Sequence, residues 1–354
     1  MAENIRMDAH KLIYHPCEVA KWLSVGGRVY PIEMEIGLSG ACNHRCIFCA
    51  LDYVGYKPYY LDTNLILDNL KDLSKKGLKS IVYAGEGEPL MHKDAPYIFN
   101  ETKNCGIDVA LSTNGALLTR EISEECLQVM TWIRFSIAAA TDKTYEKIQR
   151  GRKGDLQRVY KNLQDAVKIK RDKNLNVTLG GQLLLLEDNK AEVFALAKNL
   201  RDIGLDYITI KPFIPHKYSG HLISVDYSES MEIERQVKEL ATDNFSIYFR
   251  HQAVKNLSTE KPYDRCYALP FMTHISAKGE IFPCVAFVGI KDFLYGSLYE
   301  KSFVEIWESE HTRNIMEKFS GEFLKKNCRK ACRLDEMNKY LYELKNPGAH
   351  VNFI

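Results

Sequence analysis

Apolar positions follow two alternating patterns between residues 33 and 213. Short segments rich in β-branched residues, which are typical of buried strands, alternate with longer stretches whose apolar positions recur at helical spacing. The predicted strands are EMEIGLS (33–39), KSIVYAG (79–85), IDVALSTNG (107–115), IRFSIAA (133–139), VTLGGQLLLL (177–186) and DYITIKPF (206–213). Repeated strand–helix units predict parallel strands covered by helices, and six units form an α/β fold with an open, partial (β/α)6 barrel of the TIM type.

Glycines mark the ends of three predicted helices, at Gly77, Gly106 and Gly204, each just before the next predicted strand. Glycine is favoured there because the residue that follows a helix often adopts a left-handed conformation. After Gly220 the alternation stops, and residues 226–244 show an amphipathic helical pattern followed by shorter segments. The predicted units are an N-terminal extension (1–30), the barrel core (31–222) and a small C-terminal α+β domain (223–354).

The composition narrows the class of protein. The chain has 354 residues, of which 45% are hydrophobic, so it can bury a large core. Its 48 Lys and Arg nearly balance 46 Asp and Glu, and no basic segment alternates with aromatic residues, which argues against nucleic acid as a partner. The chain begins without the apolar core of a signal peptide, and its longest apolar segment is too short to span a bilayer. We therefore expect a cytoplasmic protein without a membrane partner, in which ten cysteines indicate metal or redox chemistry.

Three cysteines lie within eight positions in the fragment SGACNHRCIFCALDY (39–53): Cys42, Cys46 and Cys49. They directly follow the first predicted strand, so they are expected at the carboxyl edge of the barrel, where such barrels carry their chemistry. Their spacing fits neither a four-ligand zinc site nor a CxxC redox pair. Three thiolates on an iron–sulfur cluster would leave one iron without a protein ligand and able to bind another molecule. Buried or zinc-binding cysteines are the alternative.

The fragment CNHRCIFC resembles the CxxxCxΦC signature of the radical S-adenosylmethionine (SAM) enzymes, a superfamily whose core is an open six-stranded barrel. The resemblance implies that the three cysteines hold a [4Fe–4S] cluster, whose fourth iron is chelated by the amino and carboxylate groups of SAM. It also implies that Phe48 packs near the adenine of SAM, and simple core packing is the alternative role for this residue.

Further stretches lie where this superfamily keeps its SAM contacts. The fragment AGEGEPL (84–90) resembles the GGEP motif, with Glu86 where glycine is usual, and its small glycines would let the backbone approach the methionyl group closely. The fragment STNG (112–115) and the end of the fourth predicted strand offer polar groups to the ribose or the carboxylate, with turn stabilisation as the alternative. The candidate SAM contacts are Phe48, Gly85, Gly87, Glu88, Pro89, Ser112, Asn114 and Ser136, with a weaker signal at Leu184, Leu186 and Asn189.

A second group of cysteines falls near the C-terminus: Cys266, Cys284, Cys328 and Cys332. The fragments that carry them, CYALPFMTHISAKGEIFPC (266–284) and CRKAC (328–332), together with YGSLYEKSFVEIWESE (295–310), resemble the C-terminal SPASM and twitch extensions of radical SAM enzymes. Four cysteines match the shorter twitch form, which implies one auxiliary [4Fe–4S] cluster. A structural zinc ion is the alternative, because spacing alone does not separate the two kinds of site.

The resemblance implies reductive cleavage of SAM, with an electron from an external flavodoxin- or ferredoxin-type donor, to a 5′-deoxyadenosyl radical that takes hydrogen from a C–H bond. An auxiliary cluster held by four cysteines would accept an electron and favour oxidation of the substrate. A free thiol near the substrate, either one of those four or Cys105 or Cys126, would return a hydrogen and favour epimerisation.

Polar residues at the ends of predicted strands are candidates for contacting the substrate: Arg134 in the fourth strand, and Lys211, His216 and His221 at and after the end of the sixth. A base among them could deprotonate a substrate hydroxyl, and surface loop residues are the alternative. About thirty residues precede the first predicted strand, which is short for a domain that binds a leader peptide. We therefore expect a small polar substrate such as a sugar, aminocyclitol or nucleotide sugar. A ribosomal peptide is the second expectation, followed by a non-enzymatic iron–sulfur electron-transfer protein.

Overall fold

The structure is a computed structural model and describes residues 10–24 and 29–353, so the predicted extension 1–30 lies partly outside the described residues. Six parallel strands pair with one another in chain order and form the wall of the barrel. They are β1 (Glu33–Ile36), β2 (Ser80–Tyr83), β3 (Asp108–Thr113), β4 (Met130–Ser136), β5 (Thr178–Leu185) and β6 (Tyr207–Pro212). Each overlaps one predicted strand, and the predicted open α/β barrel is confirmed.

Helices precede and connect these strands: α1 (Pro16–Ser24), α2 (Thr63–Lys76), α3 (Ala95–Asn104), α4 (Arg120–Cys126), α5 (Asp142–Ile148), α6 (Asp155–Asp172) and α7 (Val193–Ile203). The glycines predicted to end three of them, Gly77, Gly106 and Gly204, have φ angles of 104°, 76° and 101°. These left-handed values confirm the predicted helix ends, since residues with a Cβ rarely adopt them. No helix of the described residues is long and apolar enough to cross a membrane.

The chain after β6 adds a strand to one edge of the sheet and three to the other. Strand β7 pairs parallel with β6, β8 pairs parallel with β1, and β9 and β10 continue antiparallel. The elements of this region are α8 (Ser230–Lys238), β7 (Ser246–Phe249), α9 (His251–Lys255), β8 (Met272–Ile275), β9 (Glu280–Phe282), β10 (Gly296–Ser297), α10 (Phe303–Glu308), α11 (Glu310–Glu317), α12 (Gly321–Asn327) and α13 (Asp335–Lys345). The division of the chain after residue 222 stays a proposal, and the two parts share one sheet.

The two faces of the barrel strands differ in chemistry. In β1, Met34 and Ile36 belong to the apolar core, and Glu35 lies between them. In β6, Ile210 belongs to the same core, and Lys211 follows it. Because side chains alternate between the two faces of a strand, the apolar residues face the helices, and Glu35 and Lys211 face the barrel interior. The interior is therefore partly polar and suited to hold a ligand.

Candidate functional site

The loops that follow β1, β2 and β3 are joined by hydrogen bonds at the carboxyl edge of the barrel. The backbone N–H of Glu88 donates to the carbonyl of Ala41 (2.8 Å), and the side-chain amide of Asn114 donates to the side-chain oxygen of Asn43 (2.7 Å). The cysteine loop after β1, the GEGEP stretch after β2 and the STNG stretch at the end of β3 therefore form one site. This is the edge at which barrels of this kind carry their chemistry.

The three thiols of the cysteine loop lie together and are partly buried. Burial raises the pKa of Cys42 to about 12, and nearby Glu88 and Cys49 act in the same direction. Burial also raises the pKa of Cys46, and the neighbouring thiols add to that effect. Iron that binds all three sulfurs would remove the repulsion between thiolates, and the backbone N–H of His44 already points at the Cys42 sulfur (3.5 Å). The donor set fits an iron–sulfur cluster.

Glu88 fastens the loop after β2 to the end of β3. Its carboxylate accepts from the Thr113 hydroxyl (2.6 Å) and the Asn114 backbone N–H (2.8 Å), and the side chain is buried. It also accepts from the N–H of Leu90, and Pro89 begins the short 3-10 helix that follows. Each carboxylate oxygen has a protein donor, so Glu88 fixes the positions of its two loops, and its predicted contact with SAM stays a prediction.

The two positions of the GEGEP stretch that carry glycine require it for different physical reasons. A Cβ at Gly87 would lie 2.2 Å from the Ser39 carbonyl oxygen and 2.3 Å from that of Ala41. Gly87 therefore lets the chain's own cysteine loop approach closely. The sequence-based reason, an approach by the methionyl group of SAM, stays a prediction beside this one. Gly85 has a φ of 130°, a conformation that side-chain-bearing residues rarely adopt.

The four C-terminal cysteines also come together. Burial raises the pKa of Cys266 and Cys284 to about 12, and in both cases Cys332 is the next largest influence. Burial and the sulfurs of the other three cysteines also raise the pKa of Cys328. Donors point at two of the sulfurs: the Asn338 amide at Cys266 (3.6 Å) and the Leu334 N–H at Cys332 (3.4 Å). Hydrogen bonds to cysteine sulfurs are a normal feature of iron–sulfur sites, so this donor set fits a cluster too.

In the described part of the chain, no three or more His, Cys, Asp or Glu side chains are arranged to hold a single metal ion.

Sequence models of two known families match this chain: the Radical SAM superfamily over residues 36–200 and the SPASM iron–sulfur cluster-binding domain over residues 266–333. The first match contains the three-cysteine loop, and the second contains all four C-terminal cysteines. This chain belongs to the radical SAM superfamily. Its two domains imply [4Fe–4S] clusters and SAM as cofactors, as predicted.

Two relatives match most of this radical SAM chain. The tungsten-containing aldehyde ferredoxin oxidoreductase cofactor-modifying protein of Pyrococcus furiosus is 24% identical over 78% of this chain and 81% of its own length. The AdoMet-dependent heme synthase of Methanosarcina barkeri is 25% identical over 77% of this chain and 80% of its own length. The two relatives have different activities, so the similarity does not identify a substrate.

Solved structures of radical SAM proteins share the fold. Streptococcus suis SuiB bound to S-adenosylmethionine has a TM-score of 0.67 at 17% identity, with 86% of this chain and 72% of SuiB covered. The protein anSMEcpe with bound AdoMet has a TM-score of 0.62 at 13% identity, with 87% of this chain and 88% of that chain covered. At these identities the likeness concerns the fold alone.

The other candidate SAM contacts lie around the same edge of the radical SAM barrel. Phe48 is partly buried against the apolar core. Ser112 accepts a weak hydrogen bond from Arg134 (3.5 Å), and the carbonyl of Ser136 accepts one from a glutamine amide (3.0 Å). Asn189, the more distant candidate, caps a short helix and donates to two backbone carbonyls. Asn189 therefore has a structural role, whereas Phe48, Ser112 and Ser136 stay proposed SAM contacts.

Two other cysteines lie at the opposite edge of the barrel. Cys105 directly follows α3, three residues before β3 begins, and Cys126 ends α4, shortly before β4 begins. Since these helices run back along parallel strands, their ends lie at the amino edge, away from the cysteine loop. The suggestion that either thiol returns a hydrogen to the substrate is therefore corrected by the topology.

His216 has partners on both ring nitrogens. Its Nε2 contacts the Ala286 carbonyl (3.1 Å), and its Nδ1 accepts from the Tyr218 N–H (3.3 Å). Burial, reinforced by nearby Arg329, lowers its pKa to about 4, so the ring is neutral at pH 7. His216 therefore connects the loop after β6 to the loop that follows Cys284. It is a poor candidate for the base that the sequence suggested.

Lys211 and Arg134 both project from barrel strands into the interior. Burial lowers the pKa of Lys211 well below its usual value, and Arg134 is the largest of the charges that add to this effect. Lys211 makes no ion pair or side-chain hydrogen bond with any described residue, and the same residues offer Arg134 no carboxylate within ion-pair distance. His221 lies nearer the surface, 3.6 Å from the carboxylate of Asp52. Of the predicted substrate contacts, Lys211 and Arg134 are the two that lie in the interior without a carboxylate partner among the described residues.

A buried row of charged groups was missed by sequence reasoning. His274 of β8 lies between two carboxylates, with Nδ1 3.4 Å from Glu35 and Nε2 3.6 Å from Glu86. Glu35 also accepts from Arg333 (2.6 Å), the residue after Cys332. The row therefore links the GEGEP loop of the SAM site to the auxiliary cysteine group. Two signals were available: an acidic residue in the middle of an apolar strand, and Glu86 where the motif usually has glycine.

The charges in this row stabilise one another. Burial disfavours the charged form of His274, but the two carboxylates outweigh burial and raise its pKa to about 9. Burial also disfavours the charged form of Glu35, but Arg333 and His274 outweigh burial and lower the pKa of that carboxyl to about 2. At pH 7, Glu35 is therefore negatively charged, and both of its partners, the imidazolium of His274 and the guanidinium of Arg333, are positively charged.

Proposed function

We propose that this radical SAM enzyme oxidises a small polar substrate, such as a sugar, aminocyclitol or nucleotide sugar, by removing hydrogen from a C–H bond. The observation that carries the proposal is the polar interior of the barrel. In a barrel that needs only stability, the inward side chains are mainly Val, Ile and Leu packed in layers. Here the inward positions include Arg134, Gln182, Thr209 and Lys211. Their strand neighbours, apart from Gly181 and Pro212, belong to the apolar core.

The chain's own residues divide the work between the two cysteine groups. When bound, the clusters and SAM supply one-electron cleavage of SAM to methionine and a 5′-deoxyadenosyl radical, together with an electron acceptor for the substrate. Cys42, Cys46 and Cys49 would hold the first cluster, and an external flavodoxin- or ferredoxin-type protein would supply its electron. The four C-terminal cysteines would hold one auxiliary cluster. Glu88 and Gly87 keep the loops of the first site in place.

Lys211 is our candidate for the group that accepts the substrate's proton. Oxidation of an alcohol carbon removes two electrons and two protons in total: a hydrogen atom leaves from carbon, and the hydroxyl proton and one electron leave afterwards. A lysine whose pKa is lowered by burial and by neighbouring arginines is unprotonated more often than an exposed lysine. It can therefore take up the hydroxyl proton, as a general base near its optimum pKa does.

Oxidation is preferred over epimerisation because of the thiols. Epimerisation needs a thiol that gives a hydrogen back to the substrate carbon. All four C-terminal cysteines lie in one group, and Cys105 and Cys126 lie at the far edge of the barrel. A cluster that engages four thiols leaves none of them to act as the hydrogen donor.

Turnover in D2O tests the proposal. The reconstituted enzyme is incubated anaerobically with SAM, a reductant and candidate sugars, aminocyclitols or nucleotide sugars, and product masses are measured. A loss of two mass units supports oxidation. Deuterium bound to carbon would show that a hydrogen was returned, and epimerisation would replace oxidation. Candidate peptides are incubated in parallel. If 5′-deoxyadenosine forms and only the peptides change in mass, the small-substrate proposal is wrong and the ribosomal-peptide alternative takes its place.

A further inference from the structure

The interior of the barrel concentrates positive charge around Lys211. After burial, the influences that lower the pKa of this lysine are four arginines: Arg134, Arg250, Arg329 and Arg333. They come from β4, from the residue after β7 and from the segment that carries the last two cysteines. Buried charges are normally paired, since an unpaired one is costly to remove from water. A group of like charges at a proposed substrate site therefore calls for a counter-charge.

Part of this charge is balanced inside the protein. Arg333 donates to the carboxylate of Glu35 (2.6 Å). Arg329 donates to a backbone carbonyl (3.0 Å) and lies close enough to Cys284 and Cys332 to interact with their sulfurs as thiolates. A cluster bound to thiolates keeps negative charge, so it is a natural partner for Arg329.

Arg134 and Lys211 lack such a direct partner, although the carboxylates of Glu35 and Glu33 act on Arg134 from beyond ion-pair distance. Neither forms an ion pair with a carboxylate of residues 10–24 or 29–353. The polar contact of Arg134 in that part of the chain is the weak hydrogen bond to the Ser112 hydroxyl (3.5 Å), and its Nε is buried without a hydrogen-bond partner. A guanidinium in this state offers donors to a ligand that accepts several hydrogen bonds.

A cavity of about 100 Å³ opens beside Lys211 and is also lined by Arg250 and Arg333. Although protein surrounds Arg333, 41% of its side-chain surface is accessible to water, so this part of the interior is open space. Two acidic residues also line the cavity, Asp335 and Glu336.

Both acidic residues are already engaged by the protein. Asp335 accepts from Tyr263 (2.6 Å) and Asn256 (2.9 Å), and Glu336 pairs with Lys339 (2.7 Å). These acidic residues therefore leave Lys211 without a carboxylate partner.

We propose that the interior binds an oxyanion group of the substrate, a carboxylate or a phosphate, on Arg134 beside Lys211. The planar fork of an arginine matches the oxygens of both groups and can donate two parallel hydrogen bonds. This inference rests on the proposed function, since it names the charged part of the same substrate. Among the expected substrates it favours sugar phosphates, nucleotide sugars and sugar acids over neutral sugars.

The oxyanion and the proposed base are compatible. The arginines stay charged, so they repel a proton on Lys211 as long as the interior is empty. A bound oxyanion offsets that repulsion and moves the pKa of Lys211 back toward its usual value. As long as that pKa stays below the usual value, Lys211 is partly unprotonated, and the bound oxyanion stabilises the ammonium that forms when Lys211 takes up the substrate's proton.

Anion binding without turnover tests the inference. The reconstituted, SAM-bound enzyme is titrated by calorimetry with inorganic phosphate and with succinate, at constant ionic strength set with NaCl. We expect saturable binding of at least one anion, weakened at least tenfold in Arg134→Met and partly restored in Arg134→Lys. Arg235→Met, which removes an exposed arginine on α8 that is paired with Glu232, is the matched control and should bind as the wild type does.

The outcomes separate the two anions and the two proposals. Binding of phosphate alone indicates a phosphate ester, and binding of succinate alone indicates a carboxylate. Absence of saturable binding in the wild type, equal binding in Arg134→Met, or equal loss in Arg235→Met overturns the inference. Should Arg134→Met fail to fold, the wild-type titration and the milder Arg134→Lys variant, expected to bind the anion more weakly than the wild type, still decide. SAM cleavage and iron content are measured in parallel, so a failed radical SAM assignment is recognised independently.

Discussion

The two cysteine groups are brought together by different means. Cys42, Cys46 and Cys49 fall within eight positions of one loop, so the sequence itself places their thiols near one another. The C-terminal four come from separate places: before β8, after β9, at the end of α12 and before α13. Only the folded chain assembles that group. The first site therefore depends on local backbone geometry, and the second depends on tertiary structure.

The difference also concerns chemistry. Three thiols leave one iron of a cubane cluster open to a ligand, whereas four thiols leave none. The local group therefore suits a cofactor that must bind and react, and the assembled group suits an electron acceptor. The row of charged groups from Glu86 through His274 and Glu35 to Arg333 connects the two sites.

The largest expected effect comes from removing the three cysteines of the loop after β1. Replacing Cys42, Cys46 and Cys49 together by alanine should lower the iron content from about eight to about four atoms per chain and abolish SAM cleavage. The reason is that the auxiliary cysteines remain, while the open iron that binds SAM is lost. Iron analysis and a 5′-deoxyadenosine assay measure both quantities after anaerobic reconstitution. Unchanged iron in this variant would refute the ligand assignment.

Removing one auxiliary ligand should have the complementary effect. In Cys284→Ala we expect a loss of about four iron atoms, with SAM cleavage retained and substrate oxidation lost. Mössbauer spectra and product analysis distinguish these results. Cys105→Ala, at the amino edge of the barrel, is the matched control and should keep both clusters and turnover. A Cys284 variant that retains both clusters yet stops turnover would instead identify a hydrogen donor and revive epimerisation.

A smaller effect should follow from crowding the local loop. In Gly87→Ala the new Cβ would collide with the carbonyls of Ser39 and Ala41, so the cysteine loop must shift. We expect partial loss of the first cluster's iron together with weaker SAM binding. The matched control is Gly106→Ala, where φ is 76° but nothing lies within 4 Å of the added Cβ. It should cost about 1 kcal/mol of stability through backbone strain and leave the iron intact.

Gly87→Ala also separates two explanations of that glycine. If SAM binding falls while iron stays at the wild-type level, the glycine serves the methionyl group as the sequence suggested. Joint loss supports the contact between the chain's own loops.

Sequence reasoning succeeded where local patterns decide the structure. The barrel strands, the helix ends at Gly77, Gly106 and Gly204, and the three-cysteine loop each depend on residues close together in the chain. It did not predict that β7 and β8 would extend the barrel sheet at both edges. Short strands carry little intrinsic preference, and their pairing is decided by tertiary packing.

Residue roles were predicted less well than elements. His216 fits a loop base by sequence, yet the fold gives both of its nitrogens partners. The partners of Glu35 and Glu86 lie far along the chain, at His274 and Arg333, and no spacing rule connects them. Their pairing is a property of the assembled sheet, in which Glu35 and His274 are neighbours across β1 and β8.

The smallest expected effect is a pH dependence of stability that comes from His274. Its folded pKa is raised from 6.5 to about 9, so the stabilisation by its two carboxylates is fully present below about pH 6.5 and is lost as the pH rises through about 9. Thermal unfolding of the anaerobic protein should therefore show a lower Tm at pH 9 than at pH 6.5. In His274→Gln the overall stability should fall, because two buried carboxylates lose a cation, and this part of the pH dependence should disappear. His311→Gln, which alters an exposed histidine bonded to a backbone carbonyl, should keep the wild-type slope. Equal slopes in all three proteins would show that His274 is neutral in the folded state and that the connection between the two cysteine sites is not ionic.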